Sequence, residues 1–125
     1  MVDPRQTLGR AAEDAAAAFL AGAGLAVVAR NVRFAEGELD LVCRARDVWV
    51  FVEVKCRRAS WGDAPGAAVS WRKQRRLVRL ARHWLKWKRL DGVRCRFDVV
   101  EVTAEDDGRS RIRHLPAAFD ATGME

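Results

Sequence analysis

Three residues could do hydrolytic chemistry if the chain brings them together: Asp40, Glu53 and Lys55. They lie in two apolar stretches, ELDLVCR at 38–44 and VWVFVEVK at 48–55, whose β-branched and aromatic residues predict strands. Side chains alternate along a strand, so Glu38, Asp40 and Val42 share one face, and Phe51, Glu53 and Lys55 share a face of the next. A hairpin with its tip at Arg46 and Asp47 opposes Leu39 to Val54, Leu41 to Val52 and Cys43 to Val50, one continuous apolar surface. The same register sets Asp40 directly across from Glu53. Like charges so placed destabilise a sheet by a few tenths to about 1 kcal/mol, and partial burial makes one carboxyl keep its proton unless a cation is near. A divalent metal removes the conflict, because Mg²⁺ takes one or two carboxylates together with waters and substrate oxygens. Lys55 can reach the same pocket, to orient water or neutralise a phosphate oxygen. The plain alternative makes Asp40 and Glu53 solvated residues of an exposed face, with Lys55 their ion-pair partner. Val42, Phe51 and the apolar run 48–54 argue instead for a strand covered on both sides.

The elements that must position these groups are legible on either side. Thr7 is placed to cap a helix through GRAAEDAAAAFLAG, with Ala12, Ala15, Ala16, Phe19 and Leu20 as its buried stripe and Gly22 and Gly24 ending it. LAVVARN at 25–31 predicts a strand, and Glu36-Gly37 the bend after it. A polar connection, RRASWGDAPGAA, leads to Ser70, the expected N-cap of a basic helix over 71–90 whose stripe is Leu77, Leu80, Ala81, Trp84 and Leu85. Asp91-Gly92 stops that helix. CRFDVVEV at 95–102 and the weaker RIRHL at 111–115 predict two more strands about a turn at 106–108. The order is α-β-β-β-α-β-β, an α/β domain spanning 1–125, with a core over about 7–115 and a tail over 116–125.

Composition bounds the partners. A length of 125 residues suits one domain. The chain is 50% hydrophobic and 32% charged, an ordinary globular mixture with no apolar run of membrane-spanning length. The polar N-terminus lacks a secretory stretch, so a cytoplasmic protein is expected. Cys43, Cys56 and Cys95 form no CxxC pair, which disfavours a zinc site or disulfide frame and predicts reduced, mostly buried thiols. A net charge of +6 and pI near 10.0 suggest a polyanionic partner. Between Arg57 and Arg96 there are 13 Lys or Arg and only 2 acids, Asp63 and Asp91, so the positive charge is concentrated in the middle of the chain.

The motifs GRAAE, ARNVR, GELDLV, FVEVK with Arg57 close behind, and RKQ opening a helix resemble, in that order, the YraN family of small bacterial proteins. The resemblance runs from about Gly9 to Val102. That family is similar to the PD-(D/E)xK nucleases and to archaeal Holliday-junction resolvases. It implies a restriction-endonuclease-like αβββαβ core, a central mixed sheet flanked by helices, and a metal-dependent endonuclease using Mg²⁺ or Mn²⁺. By the same resemblance Asp40 is the acid of the first motif strand, Glu53 and Lys55 are the ExK pair, and Val54 offers a backbone carbonyl to the metal. Glu13 is the supporting acid of the first helix, and Lys73 and Gln74 stand near the scissile phosphate. Leu39 occupies the place of the motif's proline, which removes no ligand. Junction resolvases are dimers, so the resemblance also suggests a homodimer.

Other residues have two readings each. Glu38 is a supporting group beside Asp40 or a solvated acid. Lys73 and Gln74 lie in the first helical turn, where free N–H groups and the dipole favour anions. With Arg57, Arg72 and Arg76 they form the expected nucleic-acid surface, to which Arg75, Arg79, Arg82, Lys86, Lys88 and Arg89 also belong unless they are a solvated face. Trp84 belongs to the core. Trp61 and Trp71 either stack on bases or cover the core. His83 and His114 look isolated, and Asp98 and Glu101 structural or exposed. The leading expectation is a nuclease acting on DNA, favoured over RNA, at branched or structured sites. The alternatives are a non-catalytic nucleic-acid-binding module and a partner protein in DNA uptake or repair.

Overall fold

The computed structural model describes residues 4–61 and 69–121, so most of the polar connection, Asp63 and the Trp61 side chain lie outside the described residues. Helix α1 (Pro4–Gly22) is followed by three antiparallel strands, β1 (Ala26–Phe34), β2 (Gly37–Ala45) and β3 (Val48–Arg58). A 3-10 turn (Ala59–Trp61), helix α2 (Trp71–Trp87), β4 (Arg94–Ala104) and β5 (Ser110–Phe119) complete the order. The sheet runs β1-β2-β3-β4-β5, with β3 and β4 parallel and the other pairs antiparallel. This is the predicted order of elements, and a mixed sheet flanked by two helices agrees with a restriction-endonuclease-like core.

Each helix covers one face. On the first, Ala12, Ala16 and Leu20 of α1 pack on Leu41, Cys43, Val50, Val52, Val100 and Val102. On the second, Leu77, Val78, Leu80, Ala81 and Trp84 of α2 pack on Leu39, Val42, Phe51 and Phe97. Spacing by four keeps the α1 contact to one narrow seam of small residues, and Phe19, expected inside, is 40% exposed beside it. Its ring meets His114 edge-on at 6.2 Å instead.

Several boundaries differ from expectation. Helix α1 begins at Pro4 rather than after Thr7, since a first-turn proline gives up no helical hydrogen bond. Ser70 does cap α2, its hydroxyl accepting the Lys73 N–H at 3.2 Å. Gly37 opens β2 with φ of 152°, and a Cβ there would meet Leu80 Cδ1 at 3.4 Å, so the chain passes close under α2. Strand β5 continues through Phe119 into the expected tail. Two contacts hold that extension: the Ala117 N–H donates to Asp98 Oδ1 at 2.9 Å, and Phe119 stacks on Phe97 at 5.0 Å. The three thiols are free, but only Cys43 is buried, with Cys56 half-buried and Cys95 exposed.

The β2–β3 hairpin has the predicted register from Leu41↔Val52 to Ala45↔Val48. It does not continue to Asp40 and Glu53. Strict alternation would also put Leu39 with Leu41, yet Leu39 joins Val42 on the α2 face while Leu41 joins the α1 face. The same slip occurs in β1, where Ala29 and Val32 both reach the α2 side. Between them Asn31 takes φ of 52°, a left-handed conformation that asparagine tolerates. The pairs Arg30↔Leu41 and Val32↔Leu39 bracket Asn31 and Asp40, so both strands change phase at one point.

Candidate metal centre

That change of phase frees Asp40 from the face of Val42 and presents it to α1. Carboxylate oxygens of Glu13, Glu38 and Asp40 all lie within 4.8 Å of one another, each residue half-buried. Glu13 comes from the middle of α1, one residue past buried Ala12, and Asn31 hydrogen-bonds its side chain. Glu38 and Asp40 come from the start of β2, and Arg33 Nε donates to Glu38 Oε2 at 3.2 Å. Asp40 Oδ2 accepts the backbone N–H of Val54 at 2.8 Å. A cleft of about 350 Å³ opens beside the group, lined by Glu13, Glu38, Asn31, Gln6, Arg10 and Arg33.

Burial and neighbouring acids raise two of these carboxyls. Burial, and then the charge of Glu53, push the Asp40 carboxyl up to about 7, with Glu13 and Glu38 adding to the rise and the Val54 N–H opposing it. Burial also raises Glu13, partly offset by Asn31. Three hard oxygen donors at this spacing suit Mg²⁺, Mn²⁺ or Ca²⁺ rather than a soft metal. The donor set therefore fits the divalent cation that the resemblance implies.

Glu53 is not one of those three, although its charge acts on Asp40. It is 7% exposed, and Lys73 Nζ of α2 lies 2.5 Å from its Oε1. Asp40 thus meets an acid of α1 while Glu53 meets a cation of α2. The expected opposition of the two across the ladder is not formed, because the Asp40 side chain takes the Val54 N–H and the strands part. Lys55 follows in β3, half-buried and in register with Glu101 of β4. Lys73 is turned inward to Glu53 rather than left for a phosphate, and Gln74 Nε2 donates to the Val69 carbonyl at 2.8 Å. Arg57 Nε is buried without a hydrogen-bond partner, and Arg72 and Arg76 are exposed. Trp71 is 53% exposed, so it does not cover the core.

Residues 12–102 match the family described as "Uncharacterised protein family UPF0102". The chain belongs to the UPF0102 family. The YraN resemblance of its motifs is the same assignment. UPF0102 proteins similar to it include one of Symbiobacterium thermophilum, 50% identical over 91% of this chain and 97% of the relative. Another, of Syntrophotalea carbinolica, is 42% identical over 98% of this chain and 99% of the relative. A third, of Anaeromyxobacter dehalogenans, is 46% identical over 97% and 90%. The span matched to UPF0102 includes every acid of the candidate centre as well as Glu53, Lys55 and Lys73.

Two features of this UPF0102 chain escape sequence reasoning. Asn31 lies in the ARNVR motif, but its type reveals neither its left-handed φ nor its contact with Glu13. Asp98 is fully buried, gripped by Arg96 at 2.8 and 2.9 Å, by His114 Nε2 at 2.7 Å and by the Ala117 N–H. Of its two expected readings Asp98 takes the structural one, and His114, expected to be isolated, is its partner. Although burial alone would raise Asp98, its hydrogen bonds to Arg96, Ala117 and His114 hold it below the ordinary carboxylate value. Among the described residues no helix is long and apolar enough to cross a membrane.

Proposed function

We propose that the protein is a metal-dependent endonuclease that hydrolyses phosphodiester bonds in DNA, at branched or otherwise structured sites. The observation that carries this reading is the cluster of Glu13, Glu38 and Asp40, with the Asp40 carboxyl held near 7 by burial beside Glu53. Glu13, Glu38 and Asp40 would hold Mg²⁺ or Mn²⁺, with the Val54 carbonyl and Glu53 adjoining. The cation, when bound, polarises the phosphoryl group and acidifies the attacking water.

The chain's own groups supply the rest. Lys55, two residues past Glu53, neutralises charge developing on the phosphate or orients the water. Glu53 joins the centre once Lys73 releases it, and a phosphate oxygen is a suitable new partner for that ammonium. Exposed Arg72, Arg75 and Arg76 near the start of α2 hold the nucleic-acid backbone. By resemblance to the resolvases, the active species is a homodimer.

Purified protein incubated with branched, flapped and linear DNA and Mn²⁺ tests the reading. Cleavage is expected on a structured substrate and lost in Asp40→Ala and Glu53→Ala. Cleavage that persists unchanged in both variants belongs to a contaminant and ends the assignment. The Lys73–Glu53 ion pair and the internally bonded Gln74 favour a second reading, a module that binds nucleic acid without cutting it. That module would bind DNA with the steep salt dependence of phosphate contacts and cleave none of the three substrates at any Mn²⁺ concentration.

A further inference from the structure

At the far end of α2 from Lys73, a groove of about 670 Å³ lies between the last helical turns and the residues leading into β4. Lys86 is about 20 Å along the helix axis from Lys73, at 1.5 Å per residue, so the groove is separate from the carboxylate centre. Its floor is aliphatic: Leu85, Leu90 and Val93. Leu85 and Leu90 are packed against the α2-side core, which fixes that floor in place. Arg82, Lys86 and Arg89, all exposed, line the same groove. Asp91 is the acid among its lining residues. Concave, largely apolar sites of about 300–1,000 Å³ with a few placed polar groups are the usual form of a ligand site.

We propose that this groove binds an acidic peptide segment carrying an aliphatic anchor side chain, presented by a partner protein. The three cations complement its carboxylates, and the anchor fills the floor of Leu85, Leu90 and Val93. A nucleic-acid backbone matches the cations but offers no aliphatic group to that floor, and its unbroken negative charge meets Asp91. Steering by such a cationic rim makes binding salt-sensitive, while the buried anchor sets how long the peptide stays. The inference does not depend on the nuclease reading.

The test is fluorescence anisotropy of the full chain with a dye-labelled peptide of aspartates flanking a pair of leucines. Saturable, salt-sensitive binding is expected. Lys86→Glu and Arg89→Glu should each weaken it about threefold or more, the scale of an exposed charge pair. Val93→Ser should weaken it with circular dichroism and Tm unchanged, and Asp40→Asn should leave it unaffected. Three outcomes overturn the proposal: no binding, equal binding of the peptide with serines for leucines, or displacement by a single-stranded oligonucleotide that shows the same Lys86 dependence. The last would make the groove a nucleic-acid contact.

Discussion

The side chain of Asp40 stands where the backbone of β2 would otherwise continue its ladder: its Oδ2 accepts the Val54 N–H at 2.8 Å, beyond the last paired residues Leu41 and Val52. A carboxylate doing a main chain's work keeps β2 and β3 apart at their open end. The same residue belongs to the candidate centre, and burial raises its carboxyl, so stability and metal affinity should respond to pH through Asp40.

Asp40 titrates near 7 when folded, against an ordinary value of 3.8. The folded state therefore holds a proton that the unfolded chain has released between about pH 4 and 7, so in the absence of metal Asp40 makes stability fall as pH rises through that window. Asparagine at 40 can still accept from Val54 and has no charge to desolvate. Urea melts at about pH 5 and pH 8 should show that Asp40→Asn removes a slope on the order of a few kcal/mol. A slope equally steep in the variant would place its origin elsewhere.

Divalent cation binding requires deprotonated ligands and releases protons. Mn²⁺ should raise Tm more at pH 8 than at pH 6, by an amount corresponding to about 2.7 kcal/mol at a hundredfold excess over Kd. Glu13→Gln, Glu38→Gln and Asp40→Asn should each reduce the rise. Retention of the full rise in all three would rule out this cluster as the binding site.

The Lys73–Glu53 pair can be tested by removing its cation. The Glu53 side chain is 8% exposed, so Lys73→Met leaves a nearly buried carboxylate without its partner and should cost about 1–3 kcal/mol in metal-free buffer. Mn²⁺ should restore more stability to this variant than to the parent, because Glu53 becomes available to the cation. Equal metal responses would show that Glu53 does not reach the centre.

Asp98 is an anchor of the β4–β5 pair. Asp98→Ala leaves Arg96, His114 and the Ala117 N–H without their common acceptor, and chemical denaturation should show a loss of about 3–5 kcal/mol. A change under about 1 kcal/mol, the range of exposed ion pairs, would show that the network contributes little.

Gly37→Ala combines a φ of 152° with a Cβ placed 3.4 Å from Leu80, and should destabilise by about 1 kcal/mol without altering metal binding. A neutral or stabilising effect in thermal melts would mean that Leu80 and Arg76 yield at no cost.

Much of this protein was legible in its residues alone. Strand runs of alternating and β-branched residues, the Ala12–Ala16–Leu20 spacing, the Ser70 cap and the α2 stripe are local signals, and local signals survive in one dimension. The hairpin register followed from them, because a slip by one residue would have turned Leu41, Cys43, Val50 and Val52 away from α1. Asp40 and Glu53 stood out as like charges that would be costly side by side, with Lys55 in reach, whereas Glu13 entered only through the family resemblance. What the sequence could not carry was the change of phase at Asn31 and Asp40. Alternation assumes that every residue of a strand is extended, and one left-handed asparagine, stabilised through Glu13 of a distant helix, breaks that assumption. Only the folded chain decides that Asp40 joins Glu13 and Glu38 while Glu53 goes to Lys73, and that Asp98 and His114 meet across β4 and β5. Asp40 and Glu13, Glu53 and Lys73, and Asp98 and His114 each come from separate elements, and the cost or gain of burying their charges together exists only once packing has excluded water.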